Sequence, residues 1–239
     1  MINTLNETHL HKALKALYCA QSGGTEEAAC GPYIADIAAP GGEIIEIQTG
    51  TLGRLLKKTE FFIGQGRKVK VVYPVAAVKY IETFSKATGK TSRRKSPAKK
   101  GVRSVFRELS SLAPVLLSAQ FTLEILEVEV TEERTAGTEP VQSRNRRRRF
   151  KKAWIKTGKR LEQIGNTVVL HGRRAYEALL PKDLPQQFTS KEFFTLLKAE
   201  DSRIKPADSC IMIWLYARLG ILAVSGKKGR FRLYSVTKM

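Results

Sequence analysis

The sequence predicts an α/β protein in two parts. A mixed sheet flanked by helices occupies residues 1–184, and a small α+β unit occupies residues 185–239. Three observations predict this. Amphipathic helical stretches alternate with short β-branched runs through the first eighty or so residues, the grammar of a helix-flanked sheet. The stretch "FTLEILEVEVTEER" alternates apolar and polar residues as a long strand does. From about Pro185 the pattern changes to two helices followed by a glycine-bounded hairpin.

Taken in order, "LNETHLHKALKALY" is an amphipathic helix with Thr4 or Asn6 as N-cap and Leu10, Leu14, Leu17 and Tyr18 as its apolar stripe. Glu7 falls on that stripe, where a carboxylate is costly to bury unless something uses it. "SGGTEEAACGPYIADIA" opens as a loop and ends as a strand. "APGG" is a turn and "EIIEIQ" the next strand, so the two form a hairpin. "TLGRLLKKTEFFI" is a helix with Leu52, Leu55, Leu56 and Thr59 toward the sheet. "RKVKVVYPV" is a buried, valine-rich strand ended by Pro74. The order helix, strand, strand, strand, helix, strand makes a compact α/β unit. A polar, basic loop over residues 85–101 follows, then one or two helices in "VFRELSSLAPVLL", the long strand, and a second basic loop over residues 137–152.

In the C-terminal part Thr189 and Glu192 stand at capping-box spacing. Pro206 opens a second helix, and Gly220 is positioned to end it. "ILAVSGKKGRFRLYSV" is a hairpin joined at "GKKG". Helix, short turn, helix and a basic-tipped hairpin resemble the winged helix-turn-helix, a fold often used on DNA.

Charge narrows the function. The net charge is +20, and residues 85–160 carry 20 Lys+Arg against 7 Asp+Glu, which places +13 of it in a third of the chain. Positive charge so concentrated neutralises phosphates. The candidate nucleic-acid contacts are Arg93, Arg94 and Lys95 in the first loop, Arg146, Arg147, Arg148, Arg149, Lys151 and Lys152 in the second, and Lys227, Lys228 and Arg230 on the hairpin. DNA is favoured over RNA as partner, and a homodimer is an assembly the reading admits. Trp154 reads as a stacking platform or as core, and Lys57 and Lys58 equally as nucleic-acid contacts or a solvated helix face. Three scattered cysteines with no metal spacing, no signal-peptide order and no apolar run long enough for a bilayer indicate a reduced, cytoplasmic protein without membrane spans. "ATGKTS" is too short for a phosphate loop, which sets an NTPase aside.

Residues 5–80 resemble the PD-(D/E)XK, or restriction-endonuclease-like, superfamily. The matching positions are Glu7 on the first helix, Asp36 in "YIADIA", and Glu46 and Gln48 in "EIIEIQTG". The resemblance implies a nuclease site in which Asp36 and Glu46 hold Mg²⁺ or Mn²⁺ and Glu7 assists. Gln48 stands where the superfamily's lysine positions and helps activate water. Glutamine is neutral at every pH and can orient a water but cannot act as a cation. His11, four residues after Glu7, is a supporting residue, whereas His9 faces elsewhere. Two hard carboxylates with waters suit Mg²⁺, which neutralises charge developing in phosphodiester hydrolysis. The chain also resembles an uncharacterised bacterial family sharing "ETHLHKALK", "EIQTG", "VVYPV", "FTLEIL" and the C-terminal pattern. The function expected is a Mg-dependent DNA endonuclease-like phosphodiesterase in DNA processing or genome defence. The alternative is an inactive nuclease fold kept as a DNA-binding or regulatory scaffold.

Overall fold

A computed structural model of the chain describes residues 8–143 and 149–237. Its first helix, α1 (His9–Ser22), is capped by Thr8. The extended backbone of Thr8 aims its hydroxyl at the His11 N–H, which it accepts at 3.3 Å. The cap is therefore Thr8 and not Thr4 or Asn6, and Glu7 lies outside the described residues. Gly23, at φ 62°, closes the helix in a conformation that costs glycine little.

The sheet is mixed. Its strands are β1 (Thr25–Cys30), β2 (Tyr33–Ala38), β3 (Ile44–Ile47), β4 (Val69–Ser85), β5 (Thr91–Lys95), β6 (Phe121–Val141) and β7 (Lys152–Leu170). They lie in the order β1-β2-β3-β4-β6-β7, with β5 added to β4. The β3–β4 and β4–β6 pairs are parallel and the others antiparallel. This is the helix-flanked mixed sheet that the sequence predicts. Among the described residues no helix is long and apolar enough to cross a membrane.

Four local expectations need correction. The opening of "SGGTEEAACGPYIADIA" is not all loop, because Thr25–Cys30 pairs with β2 as a hairpin. Pro74 does not end its strand. The even-numbered residues of β4 turn their backbone groups toward β3, and the last such bond runs from the Gln48 N–H to the Val72 carbonyl at 2.9 Å. β3 has ended by Pro74, so the missing proline N–H breaks no ladder bond and β4 runs on beside β6. The first basic loop contains β5, which pairs with residues 80–84 of β4, and its side chains are exposed. A strand wet on both faces has no apolar alternation to announce it. The second basic loop is likewise shortened, since β6 extends to Val141 and β7 begins at Lys152.

Helices cover both faces of the sheet. On one face Leu10, Leu14 and Tyr18 of α1 pack on Ile37, Ile45, Ile47, Val72 and Leu126. The other face carries the larger core beneath α2 (Leu56–Gly64), which follows a 3₁₀ turn at Leu52–Leu55, and α3 (Phe106–Leu109), which lies between two further 3₁₀ turns. It also holds α4 (Gly172–Glu177), α5 (Ser190–Glu200) and α6 (Pro206–Arg218). Phe188, Phe193, Met212 and Tyr216 bury into this same core. The Phe106 and Tyr216 rings sit 5.2 Å apart, and Arg103 bonds Glu200 while Arg107 bonds Asp208. The chain ends in a hairpin of β8 (Leu222–Lys228) and β9 (Phe231–Val236), turned at Gly229 and Arg230 rather than within "GKKG".

α5 begins with the reciprocal bonds that its sequence predicts. The Thr189 hydroxyl accepts the Glu192 N–H, and Glu192 accepts the Thr189 N–H. Thr189→Ala is expected to cost about 1 kcal/mol, read as a lowered urea midpoint with unchanged slope.

Candidate functional site

The site forms where the β2–β3 ladder stops. Ile37 pairs with Ile45 and Ala38 with Ile44. Continued by one residue, that register sets Asp36 opposite Glu46, but there the side chains take over from the backbone. The Glu46 Oε1 accepts the Asp36 N–H at 3.2 Å, and the Asp36 Oδ2 accepts the Ile47 N–H at 2.8 Å. The two carboxylates thus occupy a fork between diverging strands and satisfy backbone donors that the ladder leaves open.

Each carboxylate has a basic neighbour from a different helix. The His11 Nε2 of α1 lies 3.4 Å from the Asp36 Oδ2, and the Lys58 Nζ of α2 lies 2.5 Å from the Glu46 Oε2. Glu46 is 2 % exposed. Burial, with the Asp36 charge adding to it, pushes its carboxyl up to about 7 against the opposing pull of Lys58. Burial also acts to raise Asp36. Hydrogen bonds from His11 and the Ile47 N–H, with the charges of His11 and Lys58, outweigh it and hold Asp36 below the usual carboxylate range. The pair is split, with one ionised carboxylate beside one whose proton is exchangeable near neutrality.

Chemically, this is an anionic fork with an ammonium at its mouth. Two carboxylates match the donor chemistry of a hard divalent cation that keeps several waters. Among the described residues no three His, Cys, Asp or Glu side chains form a group that could hold a metal ion. A cation in the fork would find carboxylate oxygens only from Asp36 and Glu46 among the described residues there, and Lys58 already pairs with Glu46.

The other expected site residues are scattered. Gln48 stands just beyond β3, and its Oε1 accepts the Gly50 N–H at 3.2 Å, a bond along the chain. Arg93, Arg94 and Lys95 project from β5, and the Arg93 guanidinium lies 4.2 Å from the centre of the Tyr80 ring. Arg146, Arg147 and Arg148 lie outside the described residues. Arg149 and Lys151 are exposed, Arg149 beside Phe150, and Lys152 opens β7 5.6 Å from the Trp154 ring. Lys227 and Lys228 end β8, and Arg230 sits in the turn next to Phe231. The sequence reading gave Lys58 no place at the acidic site. Its only signal is adjacency to Thr59, which faces the sheet one turn into α2.

The two basic segments, far apart in sequence, meet at one end of the sheet. Beyond Val75, β5, β4, β6 and β7 continue as a four-stranded arm. At its end the Lys86 N–H bonds the Ala136 carbonyl at 3.0 Å, joining the β4–β5 turn to β6.

Comparison with known proteins adds a relative and a family. The chain is similar to a protein of Treponema pallidum (strain Nichols) described as "Uncharacterized protein", at 29% identity over 233 residues, which is 98% of this chain and 86% of that one. No solved structure matches. A family model matches residues 8–171, from the cap of α1 to the end of β7, and so takes in the acidic fork and the arm. The chain belongs to that family, described as "Domain of unknown function (DUF8091)".

Proposed function

We propose that this protein binds DNA and hydrolyses its phosphodiester bonds at the Asp36–Glu46 fork with Mg²⁺ or Mn²⁺, as a cytoplasmic nuclease in DNA processing or genome defence. The observation that carries the reading is the fork with Lys58 at its mouth. In the superfamily that residues 5–80 resemble, a lysine follows the second acidic residue on its own strand. Here Lys58 brings an ammonium to Glu46 from α2, and Gln48 is free of that task. A bound divalent cation would neutralise charge on the phosphate and lower the pKa of an attacking water. Asp36 stays ionised to hold it, with His11 orienting that carboxylate. Lys58 stabilises charge developing on the phosphate oxygens. Glu46, whose carboxyl burial raises to about 7, would give up its proton to join Asp36 as the second carboxylate on the cation. Within this reading residues 185–239 act as a winged helix, with Lys227, Lys228 and Arg230 at the wing.

One observation favours a second reading, a silent scaffold. Lys58 already satisfies the Glu46 Oε2, so the ion pair itself closes the fork. The experiment is incubation of labelled duplex and branched DNA with Mg²⁺ or Mn²⁺. Cleavage by the wild type is expected, with a loss of about 10²–10³-fold in Lys58→Met. A change within a few-fold is expected in Gln48→Ala. Tight binding without cleavage in either metal overturns the nuclease and leaves the scaffold. Equal cleavage by Lys58→Met removes Lys58 from the chemistry.

A further inference from the structure

One face of the arm gathers cations from four separate stretches of the chain, most of them outside the two basic loops. At its centre is Glu132 of β6. The Lys79 Nζ of β4 lies 3.2 Å from the Glu132 Oε2, while the Arg134 Nε and Nη2 lie 2.8 and 2.6 Å from the Oε1. Lys159 of β7 stands opposite Glu132, and Lys156 stands opposite Arg134. The Arg134 guanidinium also stacks 3.7 Å from the centre of the Trp154 ring. Lys100, whose N–H bonds the Ala76 carbonyl at 3.3 Å, contributes its charge from the segment after β5. Lys79 and Arg134 hold Glu132, and Lys156, Lys100 and Lys79 act on Lys159 beside them.

We propose that this face holds the phosphodiester backbone of duplex DNA and leads it to the acidic fork. The inference rests on the DNA-binding reading above. Three observations carry it. The first is uncompensated charge: Glu132 pairs closely with Lys79 and Arg134, which leaves Lys100, Lys156 and Lys159 for an external polyanion. The second is preorganisation, because Arg134 is pinned by two bonds to Glu132 and by the indole, so little side-chain freedom remains to be lost on binding. The third is position along a single edge of β4. β3 occupies this edge up to Val72, Lys100 bonds it at Ala76, the Ser96 N–H bonds the Lys79 carbonyl, and β5 follows from Tyr80. Four steps along β4, about 13 Å of strand, lead from Val72 at the end of β3 to Ala76, where the Lys100 backbone bonds. That is about four phosphates of one DNA strand.

The crowding has a measurable consequence. Lys159 is half-buried, and burial, followed by the charges of Lys156, Lys100 and Lys79, lowers its ammonium to about 8, with Glu132 opposing. A phosphate backbone on this face favours the charged form, so binding near pH 8 takes up as much as about half a proton.

The experiment measures binding of a short labelled duplex by anisotropy across a salt series. It compares wild type, Lys156→Gln/Lys159→Gln, and Lys182→Gln/Lys191→Gln as an equal loss of charge elsewhere. Circular dichroism confirms that all three are folded. The expected result is a slope of log affinity against log salt shallower by about 2 in Lys156→Gln/Lys159→Gln, at roughly 0.9 per phosphate contact, and unchanged in the control. Calorimetry at pH 8 in two buffers of different ionisation enthalpy is expected to show proton uptake that Lys159→Gln abolishes. Equal slopes in all three proteins, or equal losses in both variants, overturn the inference and leave DNA binding standing. Absence of proton uptake in the wild type also overturns it. Failure of the wild type to bind DNA at all overturns the DNA-binding reading itself, and this inference with it.

Discussion

Glu46→Gln is expected to remove most of the pH dependence of stability between about pH 5 and 8. The carboxyl has a folded pKa of about 7 against an unfolded value of 4.5, a raised pKa. The stability tied to its protonated form is therefore fully present below the unfolded value. It is lost as pH rises through the window and levels off above the folded value. A shift of that size corresponds to about 3 kcal/mol. Asp36 works in the opposite sense. Its lowered pKa contributes stability that is present above the ordinary carboxylate range and lost on acidification, outside this window. Glutamine keeps an oxygen for the Asp36 N–H, and Lys58, 15% exposed, can turn to solvent. Urea unfolding at several pH values reads the result. Wild-type stability should fall toward pH 8 while Glu46→Gln stays nearly level. An undiminished fall in the variant would mean that another group titrates.

The second large effect concerns the docking of the C-terminal helices. Tyr216 of α6 is fully buried, its ring lies against Phe106, and its hydroxyl donates to the Tyr176 carbonyl at 3.0 Å. Tyr216→Ala leaves a cavity where α6 packs on Phe106 and removes a buried hydrogen bond to the Tyr176 carbonyl, which keeps the Leu179 N–H. A cost of about 3–5 kcal/mol is expected. The two tryptophans report on the two parts, Trp154 from β7 and Trp214 from α6. Because both parts bury side chains in one core, single-tryptophan forms should unfold together in urea, with the midpoint lowered equally at both probes. A shift seen only at Trp214 would show that the C-terminal unit unfolds by itself.

Much of the scaffold was legible because local rules were strong. The Asp36–Glu46 hairpin followed from two alternating runs around "APGG", and the start of α5 from Thr189 and Glu192 three residues apart. Where the signal failed, a neighbour decided. Pro74 reads as a terminator unless one knows that β3 has already left that edge. β5 reads as loop because both of its faces are wet, and Thr8 overtook Thr4 and Asn6 as cap by two to four residues. Such end effects depend on a single side-chain bond, which periodicity does not encode.

By itself the sequence determined the element types over most of the chain, the pairing of the two acidic residues, and the concentration of positive charge. These follow from short-range periodicity, turn chemistry and composition. Only the tertiary structure decided that Lys58, on α2, ends 2.5 Å from Glu46 on β3, and that Lys79, Arg134, Lys156 and Lys159 gather about Glu132. Such contacts join residues on separate elements, up to eighty positions apart, and sheet register sets them. Register in turn depends on the packing of both faces at once, which no local stretch of sequence contains.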